Sequence, residues 1–276
     1  MPVGLLMLGG GAAAGAFGSL LGLGGGILLV PLLTLGFGLP LPEAVGVSLV
    51  SVIMTSSAAA GVYLERHVAN LRLGMTLELF TAVGALVGGF IAFLLDERLL
   101  SALFAALLGY VAFTMARARS VEPGLETPTA TEIETSAEQP MASALDALSG
   151  EGYRVRNLGR GVVGSTGAGV ASALFGIGGG IIKVPLMHLS MGVPLRVATA
   201  TSNLMIGVTA SASAVIYLLR GEIDPYVAGP TAIGVFLGAT LGSRTAHRID
   251  LRVLRILFVV VLLYTAVQMA RRAVSG

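Results

Sequence analysis

The sequence contains no cysteine and very little charge. Zero cysteines exclude disulfides, thiolate metal sites and cysteine nucleophiles, and leave the redox compartment open. Charged residues make up 12% of the 276 positions, against roughly a quarter in a soluble globular domain. The net charge of +2 carries no basic patch with interleaved aromatics, so nucleic acid is not an expected partner. No His-Glu-x-x-His occurs, and no paired acids of the proton-pump kind lie inside the apolar runs, where Glu43 and Glu78 are the only acidic candidates. Gly164-Ser-Thr-Gly167 has no nucleophile partner placed by spacing. No catalytic residue, metal set or cofactor is therefore expected, and the chain does not read as an enzyme. The start, Met1-Pro-Val-Gly-Leu-Leu, lacks a basic n-region and reads as the beginning of the first membrane segment.

Apolar sequence is what the chain has in abundance. Hydrophobic residues reach 55%, with a mean hydropathy of +0.88. Runs long enough to span hydrocarbon as helices lie at about 3–39, 41–64, 73–95 and 99–115, and again at about 161–193, 197–219, 226–243 and 251–269. The first run of each set exceeds one span, which suggests a break inside it. The expected fold is an all-α polytopic membrane protein of two homologous four-segment halves, about eight membrane segments in all.

The halves are visible as a repeat. Gly22-Leu-Gly-Gly-Gly-Ile-Leu-Leu-Val-Pro31 returns as Gly176-Ile-Gly-Gly-Gly-Ile-Ile-Lys-Val-Pro185, an offset of 154 (178 − 24). At that offset residues 15–119 align with 169–273 without a gap, and roughly a third of the positions are identical. Three consecutive glycines are costly inside a helix, and a proline follows five residues after the last. The spacing predicts an unwound turn at Gly24, Gly25 and Gly26, and at Gly178, Gly179 and Gly180. A new half-helix would follow each turn, with Pro31 or Pro185 tolerated in its first turn. Close packing is the plainer role for such glycines, but packing motifs space them four apart rather than three in a row.

Between the halves, residues 120–157 are polar, acidic and proline-containing, and predict a linker that buries no core. The domain plan is thus 1–119, 120–157 and 158–276. Arg117, Arg119, Arg154, Arg156 and Arg160 flank the linker and place it in the cytoplasm by the positive-inside rule. If the glycine-broken run is re-entrant, the halves are inverted and the arginine-rich turn at Arg244, Arg248, Arg252 and Arg255 lies inside as well. If it crosses fully, the halves are parallel and that turn lies outside. The inverted arrangement is the preferred expectation.

Several polar residues stand out within the apolar runs. Lys183 replaces Leu29 of the first copy, and an intramembrane lysine is a candidate for anion binding, with snorkelling to an interface as its bland alternative. Ser48 and Thr55, like Ser202 and Thr209, are seven apart and so share a helix face; with Asn203 they supply hydroxyl and amide groups for an oxyanion. Any one of these hydroxyls is as well explained by a bond to its own helix backbone. His188 reads as interfacial rather than as a proton carrier.

With two copies of Gly-x-Gly-Gly-Gly-x-x-x-Val-Pro, Gly38-Leu-Pro with Ala44-Val-Gly-Val-Ser48, and Gly192-Val-Pro with Ala198-Thr-Ala-Thr-Ser202-Asn, the chain resembles the sulfite exporter TauE/SafE permease family. The resemblance implies a cytoplasmic-membrane permease for sulfite, a sulfonate or another small organic anion. It carries over Gly24 to Gly26, Pro31, Ser48, Gly178 to Gly180, Pro185 and Ser202; Lys183 and Asn203 rest on their own chemistry. The function expected is secondary anion transport by alternating access, with an anion channel or a non-transporting scaffold as alternatives. The anion, the direction, a coupling proton or sodium ion and a homo-oligomeric state stay open.

Overall fold

The computed structural model describes the chain except for residues 1, 21–24, 66–68, 118–147, 151–152, 246–250 and 276. Among the described residues there are ten α-helices. The first half holds α1 (Pro2–Leu20), α2 (Gly26–Pro31), α3 (Leu41–Glu65), α4 (Leu71–Ala92) and α5 (Glu97–Arg117). The second holds α6 (Leu158–Phe175), α7 (Gly180–Pro185), α8 (Leu195–Leu219), α9 (Pro225–Thr245) and α10 (Leu251–Ser275). The sequence offset is kept by the elements, since Gly26 + 154 is Gly180 and Leu41 + 154 is Leu195. Among the described residues four spans are long and apolar enough to cross a membrane: Leu71–Ala92, Glu97–Arg117, Leu195–Leu219 and Ile256–Val274. Shorter apolar helices accompany them, and the whole is an all-α membrane protein. Leu79, Val83, Leu86 and Phe90 on α4 are exposed in the pattern of a lipid-facing stripe.

Each broken run is a hairpin. A Cβ on Gly10 would meet Leu32 and Phe37, while one on Gly25 would meet Ala14 and Gly15, so α2 runs back along α1. The second copy repeats this with Gly164 against Leu186 and Gly179 against Ala168. The return limb is α-helical for six residues and then widens into a π turn, Leu32–Gly36 after α2 and Leu186–Ser190 after α7.

This corrects the expected place of the prolines. The half-helix does begin at the glycines, with Gly25 (φ 77°) and Gly179 (φ 76°) in the left-handed region as N-caps, where glycine carries no Cβ penalty. Pro31 and Pro185 do not lie in its first turn. They close the α segment at the entrance to the π turn, where a proline's missing N–H and ring bulk are absorbed by the wider winding. Thr34 Oγ1 donates to Val30 O at 2.9 Å and to Pro31 O at 3.3 Å, satisfying carbonyls in that turn.

The halves interlock rather than sit side by side. The first helix of each half packs on the fourth segment of the other, α1 on α9 and α4 on α6. At the first crossing a Cβ on Gly11 or Gly15 would overlap the backbone of Thr231 or Val235, and one on Gly234 or Gly238 that of Leu8 or Ala12. At the second, Gly84, Gly88 and Gly169 lie in the same way on Thr166, Val170 and Thr81. These glycines are spaced by four, the pattern that lets membrane helices approach backbone to backbone. The long helices α3 and α8 form the central pair, with Gly46 beside Glu222 and Ser56 bonded to Asn203, so these two repeat-equivalent helices run antiparallel. The final helices α5 and α10 pack on one another.

The end of the expected linker belongs to this body. Val155 is buried, Arg156 N donates to Met191 O at 3.0 Å, and Asn70 Nδ2 donates to Leu148 O and to the Tyr153 hydroxyl. Asn70 also caps α4 by accepting from Leu73 N. The apolar residues that attach this segment, Leu148, Tyr153, Val155 and Leu158, cluster with Leu73, Leu77, Met187 and Met191. The preceding linker residues, 120–147, lie outside the described residues.

Candidate functional site

The two hairpin tips meet between α3 and α8. A Cβ on Gly26 would stand 2.7 Å from Gly176 O and 2.8 Å from a Val52 methyl, while Gly178 and Gly180 lie equally close to Ile206. Gly176 (φ 66°) and Gly178 (φ 71°) complete the unwound turn. Ser48 Oγ, fully buried, lies between the tips and donates to Gly176 O at 2.7 Å, with Gly26 O at 3.3 Å as a second acceptor. The first backbone bonds of the return limbs are Leu28 N to Gly25 O and Ile182 N to Gly179 O. The N–H groups of Gly26, Ile27, Gly180 and Ile181 precede those bonds and so lie at the positive ends of the limbs. Ser202, the repeat equivalent of Ser48, is 1% exposed and its Oγ has no hydrogen-bond partner among the described residues. It lies 3.6 Å from the position of a Cβ on Gly180.

Beside the second tip is a charged triad. Lys183 Nζ donates to Glu78 Oε2 at 3.1 Å and to Thr209 Oγ1 at 2.6 Å, and the Thr209 hydroxyl donates to Glu78 Oε1 at 2.6 Å. Lys183 is 1% exposed and Glu78 7%. The lysine stem folds back over its own turn, with Cε 3.4 Å from a Cβ placed on Gly179. Three elements are needed to build this group: α4 brings Glu78, α7 brings Lys183 and α8 brings Thr209. The equivalent positions in the first half are Leu29, Thr55 and, for Glu78, Ala232 in the second, so the triad exists once.

The sequence-selected residues thus separate into groups. Gly25, Gly26, Ser48, Gly178, Gly179, Gly180 and Ser202 come together at the tips, and Lys183 and Thr209 meet in the triad next to them. Gly24 lies outside the described residues. Thr55, although on the Ser48 face of α3, donates to Val52 O at 3.1 Å and Ser51 O at 3.3 Å in its own helix. Asn203 contributes its backbone oxygen, which accepts from Ser56 Oγ at 2.5 Å. His188 Nδ1 donates to Val193 O at 3.0 Å and stands apart from both tips and triad.

Glu78 is one of the two acids that the sequence shows inside the apolar runs, but it is not selected there as a site residue. The signal is present in the sequence, because a carboxylate inside an apolar run demands a cation and Lys183 is the intramembrane cation at hand. Tyr217 was missed as well. Its hydroxyl donates at 2.8 Å to Ala173 O, a carbonyl in the last turn of α6 just before the break.

The model of the sulfite exporter TauE/SafE family matches residues 7–269. The chain belongs to that family. It is 26% identical over 269 residues to the "Probable membrane transporter protein YunE" of Bacillus subtilis, covering 94% of each chain. Similarity of 26% over 262 residues links it to the "Probable membrane transporter protein MJ0441" of Methanocaldococcus jannaschii, across 90% of this chain and 88% of that one. The "Sulfite exporter TauE/SafE family protein 6" of Arabidopsis thaliana is 38% identical over 82 residues, 30% of this chain and 19% of the relative. No solved structure matches the chain. The family match runs through both hairpins and all three triad residues, so tips and triad lie within the family's common region.

Proposed function

We propose that this TauE/SafE-family protein is a secondary transporter of a small anion, of the sulfite, sulfonate or related organic class, working by alternating access across the cytoplasmic membrane. The observation that carries the proposal is the meeting of the two glycine-broken tips around Ser48 and Ser202, where limb N–H groups and hydroxyls converge in the protein interior. Discontinuous helices that meet between repeats are the common construction of substrate sites in secondary transporters. Donors of this kind hold an oxyanion without a dedicated permanent charge. Gly26 packs directly on Gly176 and Val52, and Gly178 and Gly180 on Ile206, and such contacts favour a site that opens by movement of the halves over a standing channel.

Inverted halves fit the same picture. With α3 and α8 antiparallel and each broken run returning on itself, Arg72, Arg117, Arg154, Arg156, Arg160 and Arg196 fall on the linker side. Arg98, Arg220, Arg271 and Arg272 fall on the other. The excess marks the linker side as cytoplasmic. The domain plan that goes with this is two interlocked repeats, 1–119 and 158–276, joined by the 120–157 segment.

The test is flux of labelled sulfite, sulfate, thiosulfate and small sulfonates in proteoliposomes, with Ser48→Ala beside the wild type. Saturable flux of one anion, reduced severalfold in the variant, is the expected result. Flux that rises linearly with concentration would point to a channel, and an inert wild type would refute anion transport.

A further inference from the structure

We infer that Glu78, Lys183 and Thr209 form a proton-coupling site that makes the carriage of a monovalent anion electroneutral, one proton with each anion. The inference rests on the anion-transport reading and names the coupling ion that the reading leaves open. It starts from charge balance in a place that water does not reach. Lys183 and Glu78 are buried together, and the pair is neutral as it stands. An anion arriving at the tips next to it would leave one uncompensated negative charge in a low-dielectric interior, which strongly opposes its entry. Protonation of the Glu78 carboxylate removes that excess. A hydronium ion on the side to which the site is open gives up the proton, one O–H bond breaking there as one forms at Glu78, and the lysine charge passes from the carboxylate to the anion. Net charge is zero before loading and zero after it. On the opposite side the anion leaves, the proton follows, and the ion pair closes again.

Thr209 is built for both states. Its hydroxyl carries one hydrogen, which reaches Glu78 Oε1 at 2.6 Å, and a second acceptor, Met205 O, stands at 3.1 Å. When Glu78 is charged the hydroxyl donates to it. Once Glu78 is protonated the hydroxyl turns to Met205 O, and its oxygen is free to accept. Neither state leaves the buried Thr209 donor unpaired, which is the usual obstacle to changing the charge of an enclosed polar group.

Other ionisable groups do not share the role. On the elements packed against Glu78, α6 carries Arg160 at its exposed start, α8 carries Arg196 near its exposed start and Tyr217, and the π turn carries His188, which is bonded to Val193 O. On α4 itself Arg72 lies exposed in the first turn. Among the described residues Lys183 is the cation paired with Glu78. Because the repeat-equivalent positions hold Leu29 and Thr55 in the first half and Ala232 in the second, the stoichiometry is one proton rather than two.

The probe is methanesulfonate, whose single charge does not change with pH, in proteoliposomes of the full chain with an imposed pH gradient and, separately, an imposed potential. Wild-type protein should accumulate the probe about tenfold per pH unit of gradient, the ratio of a one-to-one coupling, and should ignore the potential. Glu78→Gln, which imitates the protonated carboxyl in shape and hydrogen bonding, should lose the pH-driven accumulation and begin to respond to the potential. Wild-type behaviour in that variant would overturn the coupling while leaving anion transport intact. Infrared difference spectra of the wild type, taken across an acid titration with methanesulfonate present, provide a readout that needs no flux. A protonated-carboxyl band that is missing in Glu78→Gln is expected, and its absence in the wild type would overturn the inference.

Discussion

Removing one member of the buried ion pair should cost far more than removing both. Lys183→Met takes away the cation and leaves the Glu78 carboxylate enclosed with only the Thr209 hydroxyl at 2.6 Å. Loss of one partner of a buried pair typically costs about 3–5 kcal/mol, because an uncompensated charge stays behind. Glu78→Met leaves Lys183 in the mirror predicament and should cost a similar amount. The double variant has no charge to strand. Its Thr209 hydroxyl still donates to Met205 O at 3.1 Å, so no buried donor is orphaned, and two methionine side chains fill a comparable volume. Replacement of whole buried pairs by apolar residues is often neutral or better, so the double variant should lie within about 1–2 kcal/mol of wild type. The assay is reversible unfolding in mixed micelles titrated with a denaturing detergent, with all four proteins measured on one lipid background. The coupling energy expected from the cycle is several kcal/mol and favourable to the pair. Single-variant losses that simply add in the double would refute the view that these side chains stabilise one another across α4 and α7.

The interlocked crossings predict that Gly84→Ala and Gly238→Ala each destabilise by about 1–3 kcal/mol in the same assay, since their methyl groups would strike the backbone carbonyls of Thr166 and Ala12. Gly109→Ala, which has open space around it, serves as the control and should be neutral or slightly stabilising. Tyr217→Phe removes the bond to Ala173 O and leaves a carbonyl unpaired next to the second tip. A loss of about 1–3 kcal/mol is expected, and an unchanged midpoint would show that this carbonyl finds another donor.

What the sequence makes legible and what it hides divide along physical lines. The offset of 154, the glycine-initiated return limbs and the membrane-spanning composition are local or self-referential properties, and all three are present in the structure. A hydrophobic pattern cannot distinguish six α-helical residues from a run that widens into a π turn, so the pattern places Pro31 one turn too early. Glu78 and Lys183 are 105 positions apart and lie in different halves, so their pairing depends on the packing of α4 beside the second hairpin. The four-residue spacing of Gly11 and Gly15, of Gly84 and Gly88, and of Gly234 and Gly238 marks close packing, while the exchange of partners between halves does not follow from spacing alone. The segment around Val155 reads as linker because its surroundings are polar; three apolar residues within it, Leu148, Tyr153 and Val155, are enough to fasten it to the body.

A duplicated scaffold built from equivalent hairpins has a consequence for energy as well as for shape. If movement of the halves exchanges the surroundings of the two tips, the states open to either side of the membrane are related by the repeat and would lie close in free energy wherever the repeat is faithful. The triad is where the repeat is unfaithful, with Lys183 facing Glu78 in one copy and Leu29 and Ala232 standing in the other. A single titratable pair in a near-symmetric frame biases the exchange by its own charge state. A ligand, or a proton, shifts an equilibrium only by its differential affinity for the two states. Whichever state encloses the triad more deeply from water is therefore the state that an uncompensated anion most opposes, and the one that a proton on Glu78 most readily permits.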